Sequence, residues 1–361
     1  MTFILRRSSL VTQVTDSIRS EILRNPRQKQ IPSERELSRM LNVSRNTCRQ
    51  ALHVLRVEKL VEPAHFRGSS VSRHGVQKAL SAAKRTYSVG ILIPCAIERL
   101  RPQVSLTIEH LRNELFDLDV PVQLHNGAAY FQSDPRAPLE KLFAKSPHDC
   151  WVMFISTRAQ QLWFMKRRIP CVVCGSLYPG IQLPSVDQHF RAICRHAAGR
   201  LISLNHRRLA FFNRRSRGAG DLESEIGFLE GVRSSSHRID AQIVYHDDDG
   251  RNVSALVNDL FGSGRPPTGL LIASSHCYLA VVTALSQRRQ RVPDEVSIIC
   301  REDDPFLNYL VPEPSRYFDD HIRICHKVMI LLRHLLARGS ASLKPVRLSP
   351  RFAPGGSCRK I

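Results

Sequence analysis

Arg45, Arg49 and Arg56 recur along one stripe of a helix-forming run that begins after Ser44, with Asn46, Gln50 and His53 further round. Guanidinium and amide groups in such a row do no covalent chemistry. They donate hydrogen bonds to base edges and phosphates. A helix with a capped N-terminus and an arginine stripe suits a major groove, where its first side chains meet bases and the others grip the backbone. The same spacing also fits an ordinary helical hairpin with a solvated basic face.

Other constellations fall short of a reaction. Cys171-Val-Val-Cys174 has the spacing of a metal or redox pair, but residues 170–175 read as a buried strand. Residues three apart on a strand face opposite sides, so the two thiols do not share a ligand. His246-Asp-Asp-Asp-Gly250 suggests a cation loop, yet an EF-hand would need Glu where Leu256 stands, so it reads as a solvated loop. His321 and His326 are five apart, too far round a helix for one metal,. No GxSxG, HExxH or P-loop pattern occurs. The expectation is no metal, no cofactor and no enzyme activity.

The arginine stripe needs a scaffold, and the flanking sequence supplies one. Ser33 and Glu36 have capping-box spacing at the start of a first short helix, in which Leu37, Met40 and Leu41 form an apolar face,. Asn42-Val43 makes the turn, Ser44 caps the second helix, and Cys48, Ala51, Leu52 and Leu55 face inward. Upstream, Val11, Val14, Ile18 and Ile22 recur at helical spacing until Asn25-Pro26 stops the helix,. Downstream, residues 60–63 and 69–71 are extended pieces around a tip that carries His65 and Arg67 beside Gly68. Three helices and a basic hairpin make a winged helix.

Charge supports a polyanionic partner. The 361 residues carry 53 Lys+Arg against 32 Asp+Glu, a net of +21,. Residues 1–75 hold +8 of it, leaving +13 for the other 286 and more than twice the charge density in the N-terminal fifth. The length suits a small domain plus a larger one. No apolar run reaches the ~20 residues that span a bilayer, and the first residues have the wrong charge order for a signal peptide. A cytoplasmic location follows, with the ten cysteines reduced and acting as small apolar residues or free thiols,.

Three segments of this region carry a family resemblance. Ile31-Pro-Ser-Glu-Arg-Glu-Leu-Ser38, Val43-Ser-Arg-Asn-Thr-Cys-Arg-Gln-Ala-Leu52 and Arg67-Gly-Ser-Ser-Val71 resemble the LPSERELA, VSRxTVRxAL and RGTxV signatures of GntR-type winged-helix regulators. The resemblance covers about residues 8–72. It implies operator-DNA contacts from Arg35, Ser44, Arg45, Asn46, Thr47 and Arg49, and a wing tip at His65, Arg67 and Gly68 in the minor groove. Residues 26–30 lack the family's usual glycines, and Phe66 is bulky for a wing tip.

The winged helix is expected to occupy residues 1–75, followed by a basic linker at 76–86. That linker is either a plain tether or a segment that becomes helical on DNA. From Tyr87 to residue 361 the grammar changes to repeated strand and helix. The strands, such as 89–94, 150–155 and 171–174, are continuously apolar, which implies parallel sheets covered on both faces,. Two successive sets imply two lobes with a cleft between them. A long helix at 321–337 and a final extended segment at 346–352 close the chain.

This body resembles the effector-binding core of LacI-type regulators, built like periplasmic sugar-binding proteins. The carrying segments are residues 88–94, 184–187, 201–210, 227–231 and 291–299, in which Asn205 replaces a family glycine. The expected fold class is α/β: a winged helix-turn-helix plus a two-lobed, type I periplasmic-binding-protein-like domain with parallel sheets. The resemblance places the effector cleft at Asp187, Ser224, Ser275, His276, Arg301 and Glu302. The family has arginine where Ser224 stands, Asn-Asp where Ser275-His276 stands, and Gly-aromatic-Asp where Cys300-Arg301-Glu302 stands. Sugar hydroxyls that lose water need charged and amide partners, so these changes argue for a different ligand or none. Arg301 and His276 suit an acidic one.

The function expected is a sequence-specific transcriptional regulator, a repressor, acting as a homodimer on double-stranded operator DNA. Its body would sense a small molecule such as a sugar or sugar acid. The alternative is a ligand-independent dimeric regulator with a degenerate cleft. An enzyme body of aminotransferase type, sometimes fused to such winged helices, would need a cofactor lysine at a strand end, and none stands there.

Overall fold

The computed structural model describes residues 10–24, 30–64, 68–72, 75, 87–318, 320–349 and 351–361. The chain divides after Thr86 into two compact units.

The first unit runs α1 (Leu10–Arg24), β1 (Gln30–Ile31), α2 (Glu34–Met40), α3 (Arg45–Val57), β2 (Val61–Ala64) and β3 (Gly68–Val71). The capping box at Ser33–Glu36 forms, and Ser44 caps α3 by accepting from the Thr47 amide. Val14, Ile18 and Ile22 of α1 meet Leu37 and the inward face of α3 in one core. Met40 differs from expectation, being 73% exposed. It ends a helix of only seven residues, and the chain swings away at Asn42, whose φ is +51°, so Leu37 carries the buried face. The hairpin β2–β3 gains an unforeseen third strand, β1, paired antiparallel with β3.

The second unit has two lobes. Lobe 1 holds β4 (Val89–Ile93), α4 (Pro102–Phe116), β5 (Val122–Asn126), α5 (Arg136–Lys145), β6 (Cys150–Phe154), α6 (Arg158–Arg167), β7 (Cys171–Cys174) and β8 (Ser185–Gln188). Lobe 2 holds α7 (Phe190–Ser203), β9 (Arg208–Arg214), α8 (Ala219–Arg233), β10 (Asp240–His246), α9 (Gly250–Gly262), β11 (Gly269–Ile272), α10 (Ser275–Gln287), β12 (Ser297–Cys300) and β13 (Ser315–Phe318). The chain then returns: α11 (His321–Arg338) packs its Val328, Met329 and Leu332 into the lobe 1 core. The expected last extended segment splits in two. β14 (Val346–Leu348) joins lobe 1 beside β8, and β15 (Arg351–Ala353) pairs antiparallel with β13 in lobe 2. Sheet orders are β14-β8-β7-β6-β4-β5 and β10-β9-β11-β12-β13-β15, parallel throughout apart from that one edge.

Alternation within strands explains the double-sided burial. Val152 and Phe154 of β6 face the core with α4 and α11, while Trp151 and Met153 face the one with α5 and α6. Cys171 and Cys174 likewise go to opposite clusters. Asn205 takes φ +71°, the left-handed conformation that Asn tolerates where a glycine is usual,.

Candidate functional site

In the first unit the reading elements are rigidly framed. Ser44 Oγ accepts from the Thr47 amide at 3.1 Å and lies 2.8 Å from the Thr47 hydroxyl. Ser38 Oγ donates to Val43 O at 2.6 Å, fixing the turn. Arg35, Arg45 and Asn46 are exposed, and neither arginine has a carboxylate partner among the described residues. Arg49 is exposed too, but its guanidinium pairs with Glu34 at 3.1 Å, which lays it against the start of α2. The first turn of α3 holds no acidic residue, so its exposed N–H groups and arginines present positive charge together. Arg56 departs from the stripe: it donates to Ser69 Oγ at 2.9 Å and ties α3 to the wing strand β3. His65 and Arg67 lie outside the described residues; Gly68 opens β3.

In the second unit the C-terminal ends of the strands meet across a cleft of about 360 Å³. That is near the lower end of the ~300–1,000 Å³ usual for small-molecule sites. Arg301, just past β12, dominates it. Its Nη1 donates to Ser224 Oγ at 2.6 Å and to Asp221 at 3.1 Å, its Nη2 lies 3.4 Å from Glu302, and the guanidinium covers the Phe190 ring at 4.6 Å. Ser224 therefore stands behind the wall rather than on it, donating its own proton to Gly220 O. Ser224 is small enough to admit the Arg301 guanidinium, which reaches it from the end of β12.

Glu302 links the lobes. It pairs with Arg101 at the start of α4, and Gln103 Nε2 donates to Asp303 O at 2.8 Å beside it. Burial alone would raise the Glu302 carboxyl, but Arg101 and Arg301 overcome that and hold it at about 2. Asp187, next to last in β8, also lines the cleft, accepting from Ser176 Oγ and the Gln188 amide. Burial pushes its carboxyl up to about 6, against the pull of Ser176 and the two arginines. Arg301 Nε and Gln103 Oε1 are buried without partners among the described residues. Ile155, also on the wall, holds φ +52°, a strain of about 1–3 kcal/mol for such a residue and one that clusters at ligand sites.

Ser275 lines the cavity and donates to Asp304 at 3.2 Å. His276 does not line it. One residue further along α10 is about 100° further round, which turns His276 into solvent beside the Phe306 ring. Among the described residues no lysine lines the cleft. Arg101, Asp221, Phe190 and Tyr178 escaped sequence reasoning. Their one available signal was position, since Arg101 directly precedes a helix-starting proline and Phe190 follows a strand end.

The Asp187 carboxyl gives a pH prediction. A carboxyl raised in the folded state binds its proton there before the unfolded chain does, so stability falls as pH rises from about 4 through about 6,. Asp187→Asn is expected to flatten that part of the thermal-midpoint profile of the body. An unchanged slope between pH 4 and pH 6 would place the titration elsewhere.

Comparison with known proteins adds the following. A family described as bacterial regulatory proteins, gntR family, matches residues 10–71, and a periplasmic binding protein-like domain matches residues 198–358. No curated protein matches the chain. Among solved structures, a proposed transcriptional regulator LacI from Bacillus cereus subsp. cytotoxis NVH 391-98 superposes with TM-score 0.69 at 17% identity, covering 76% of this chain and 99% of that one. A LacI family regulator from Enterococcus faecium with bound ribose gives 0.62 at 16%, covering 76% and 99%. The transcriptional regulator CelR–cellobiose complex gives 0.67 at 17%, covering 91% and 100%. At these identities the likeness is one of fold.

Proposed function

We propose that this transcriptional regulator, a gntR-type winged helix joined to a LacI-type periplasmic-binding-protein-like body, is a homodimeric, cytoplasmic repressor that a small molecule releases from its operator. Among the described residues no helix is long and apolar enough to cross a membrane. The observation that carries the reading is the pairing, in one chain, of exposed arginines on a capped helix with a cavity between two lobes whose wall carries Arg101, Asp187, Arg301 and Glu302. A symmetric dimer sets two copies of α3 into successive major grooves, about 34–36 Å apart, on a palindromic site. Arg35, Arg45, Asn46 and Thr47 meet bases or phosphates there, and Arg49 exchanges or shares its Glu34 contact with the backbone. His65 and Arg67 complete the reader from the wing.

The ligand half rests on the cavity's chemistry. The buried Arg301 Nε offers a donor, Gln103 Oε1 an acceptor, and Asp187 a carboxyl, with the Phe190 ring beside them. That set suits a polyhydroxylated molecule, and ribose and cellobiose in two solved relatives of the fold favour a sugar or sugar acid. His276 has no part in it. A ligand that takes Arg101 from Glu302 shifts the lobes between two arrangements, which changes the spacing of the DNA heads. The Arg101–Glu302 bridge also favours a second reading, a ligand-independent regulator, because the protein supplies its own closure.

Calorimetric titration against a panel of sugars and sugar acids separates the two. Heat from at least one compound, weakened ~10-fold or more in Arg101→Ala, is the expected result for direct contact through a charged hydrogen bond of about 1.5–3 kcal/mol. No heat from any compound favours the ligand-independent reading. Operator selected from random duplexes, then displaced by the active compound, tests repression in the same preparation.

A further inference from the structure

One end of lobe 2 gathers an excess of arginines. Because β9 to β12 are parallel, all their N-terminal ends lie together, at the end of the sheet opposite the cleft. Arg207 and Arg208 lead into β9, and Arg238 stands two residues before β10. Arg208 Nε donates to Pro266 O at 2.7 Å, which brings Arg265 alongside. Arg288, Arg289 and Arg291 occupy the turn from α10 to β12. The last residues cross the same end: Ser297 Oγ donates to Arg359 O at 3.2 Å, His206 Nε2 lies 3.1 Å from that oxygen, and the Ile361 amide donates to Leu204 O. Arg359 and Lys360 are thereby added.

These nine cations face four carboxylates, Asp240, Asp259, Asp294 and Glu295. Arg291 and Arg359 share Asp294, at 3.9 and 2.7 Å. Arg238, Arg265 and Arg289 are exposed and have no carboxylate partner among the described residues. At the other end of the strands the loops carry Asp247, Asp248 and Asp249 after β10, and Glu302, Asp303 and Asp304 after β12. There the signs are interspersed, as on a surface kept soluble by charge: Arg214 pairs with Asp248, Arg215 with Asp247, Arg301 with Glu302 and Arg316 with Asp303, whereas the basic end leaves three exposed arginines without a carboxylate among the described residues.

We propose that the basic pole of lobe 2 is a second DNA-contacting surface, one that grips the phosphate backbone of a duplex without reading its sequence. Eight of the nine cations are arginines, whose planar fork matches phosphate oxygens in pairs,. A duplex presents evenly spaced phosphates along both strands to such a row of forks, which favours DNA over an acidic protein as occupant. The pole's affinity does not depend on the winged-helix reading.

The test uses the full chain and random-sequence duplex, titrated at several salt concentrations. The variants are Arg238→Ser, Arg265→Ser and Arg289→Ser combined, with and without Arg45→Ala plus Arg49→Ala. Each phosphate contact contributes about 0.9 to the slope of log K against log salt. In both backgrounds the triple change is therefore expected to lower the slope by about 2–3 and weaken binding at least ~10-fold near 100 mM salt. Replacing the same arginines by lysine keeps the charge and should keep the slope, which separates lost contact from lost fold. An unchanged slope overturns the proposal. So does charge-dependent retention on polyglutamate with none on duplex, which assigns the pole to an acidic protein. If selection recovers no operator yet the triple change still lowers the slope, the winged-helix reading fails and this one stands.

Discussion

Arg45→Ala combined with Arg49→Ala is expected to abolish operator-selective binding and to leave the fold intact. Arg45 is exposed and reaches no carboxylate among the described residues, so its removal takes nothing from the hydrophobic core of Leu37, Cys48, Leu52 and Leu55. Arg49 gives up its contact with Glu34, an exposed pair whose loss costs about 0–1 kcal/mol of stability,. Against that small cost, a bidentate side chain to a base edge discriminates by about 1–3 kcal/mol. Two such losses lower the ratio of operator to scrambled-site affinity by roughly 10²- to 10⁴-fold. Anisotropy titrations on both duplexes measure the ratio, and a thermal midpoint within a few degrees of the parent checks the fold. A variant that still prefers its operator would remove α3 from the reading surface.

The second large effect is on stability. Arg301→Ala leaves Asp221 and Glu302 side by side in the cleft wall, each less than a tenth exposed and stripped of their shared cation. Removing one partner from a buried ionic cluster costs about 3–5 kcal/mol. For a body of this size each kcal/mol moves the thermal midpoint by about 2–4 °C, so a fall of roughly 6–20 °C is expected. The pH dependence has a definite sign. Glu302 is held at about 2 when folded, below its unfolded value. Its contribution is therefore present above the usual carboxylate range and lost as pH falls toward 2. In Arg301→Ala that acid-side loss shrinks, although Arg101 retains part of it. A midpoint shift of less than about 2 °C would mean that Arg301 is dispensable to the wall.

The two halves of the molecule differ in how far they were legible. The winged helix is a local affair: Ser33 with Glu36 and Ser44 with Thr47 cap helices over three residues, and the inward face of α3 repeats every three or four. Sequence spacing carries such information directly, and Met40 and Arg56 escaped because each sits where a short element ends. The strands and helices of the body were equally plain, since double-sided burial writes continuous apolar runs. What spacing cannot carry is the meeting of Arg301 with Ser224, 77 residues apart, or of Arg101 with Glu302, 201 apart. Ser224 in place of an arginine argued for a different ligand or none, and nothing in its own segment told that Arg301 would lie against it. His276 failed for the opposite reason. It adjoins a cavity residue in sequence, and one step along a helix turned it outward. The exit of α11 and β14 to lobe 1 was invisible because an apolar helix face does not say which sheet it will cover.

That last exchange has a bearing on how the protein comes into being. Lobe 1 is begun at Val89 but lacks α11 and β14 until the chain has passed Leu348, by which point nearly all of lobe 2 has been made. The winged helix, in contrast, is complete by Val71 and needs nothing downstream for its core. Chains fold from the N-terminus as they leave the ribosome, so the DNA-reading unit matures first and lobe 1 waits half-built, its β4 and β6 faces uncovered where Val328, Met329 and Leu332 will lie. A nascent or truncated chain ending before α11 thus carries a finished winged helix on an unfinished body, and it exposes the apolar sheet face that draws chaperones and proteases.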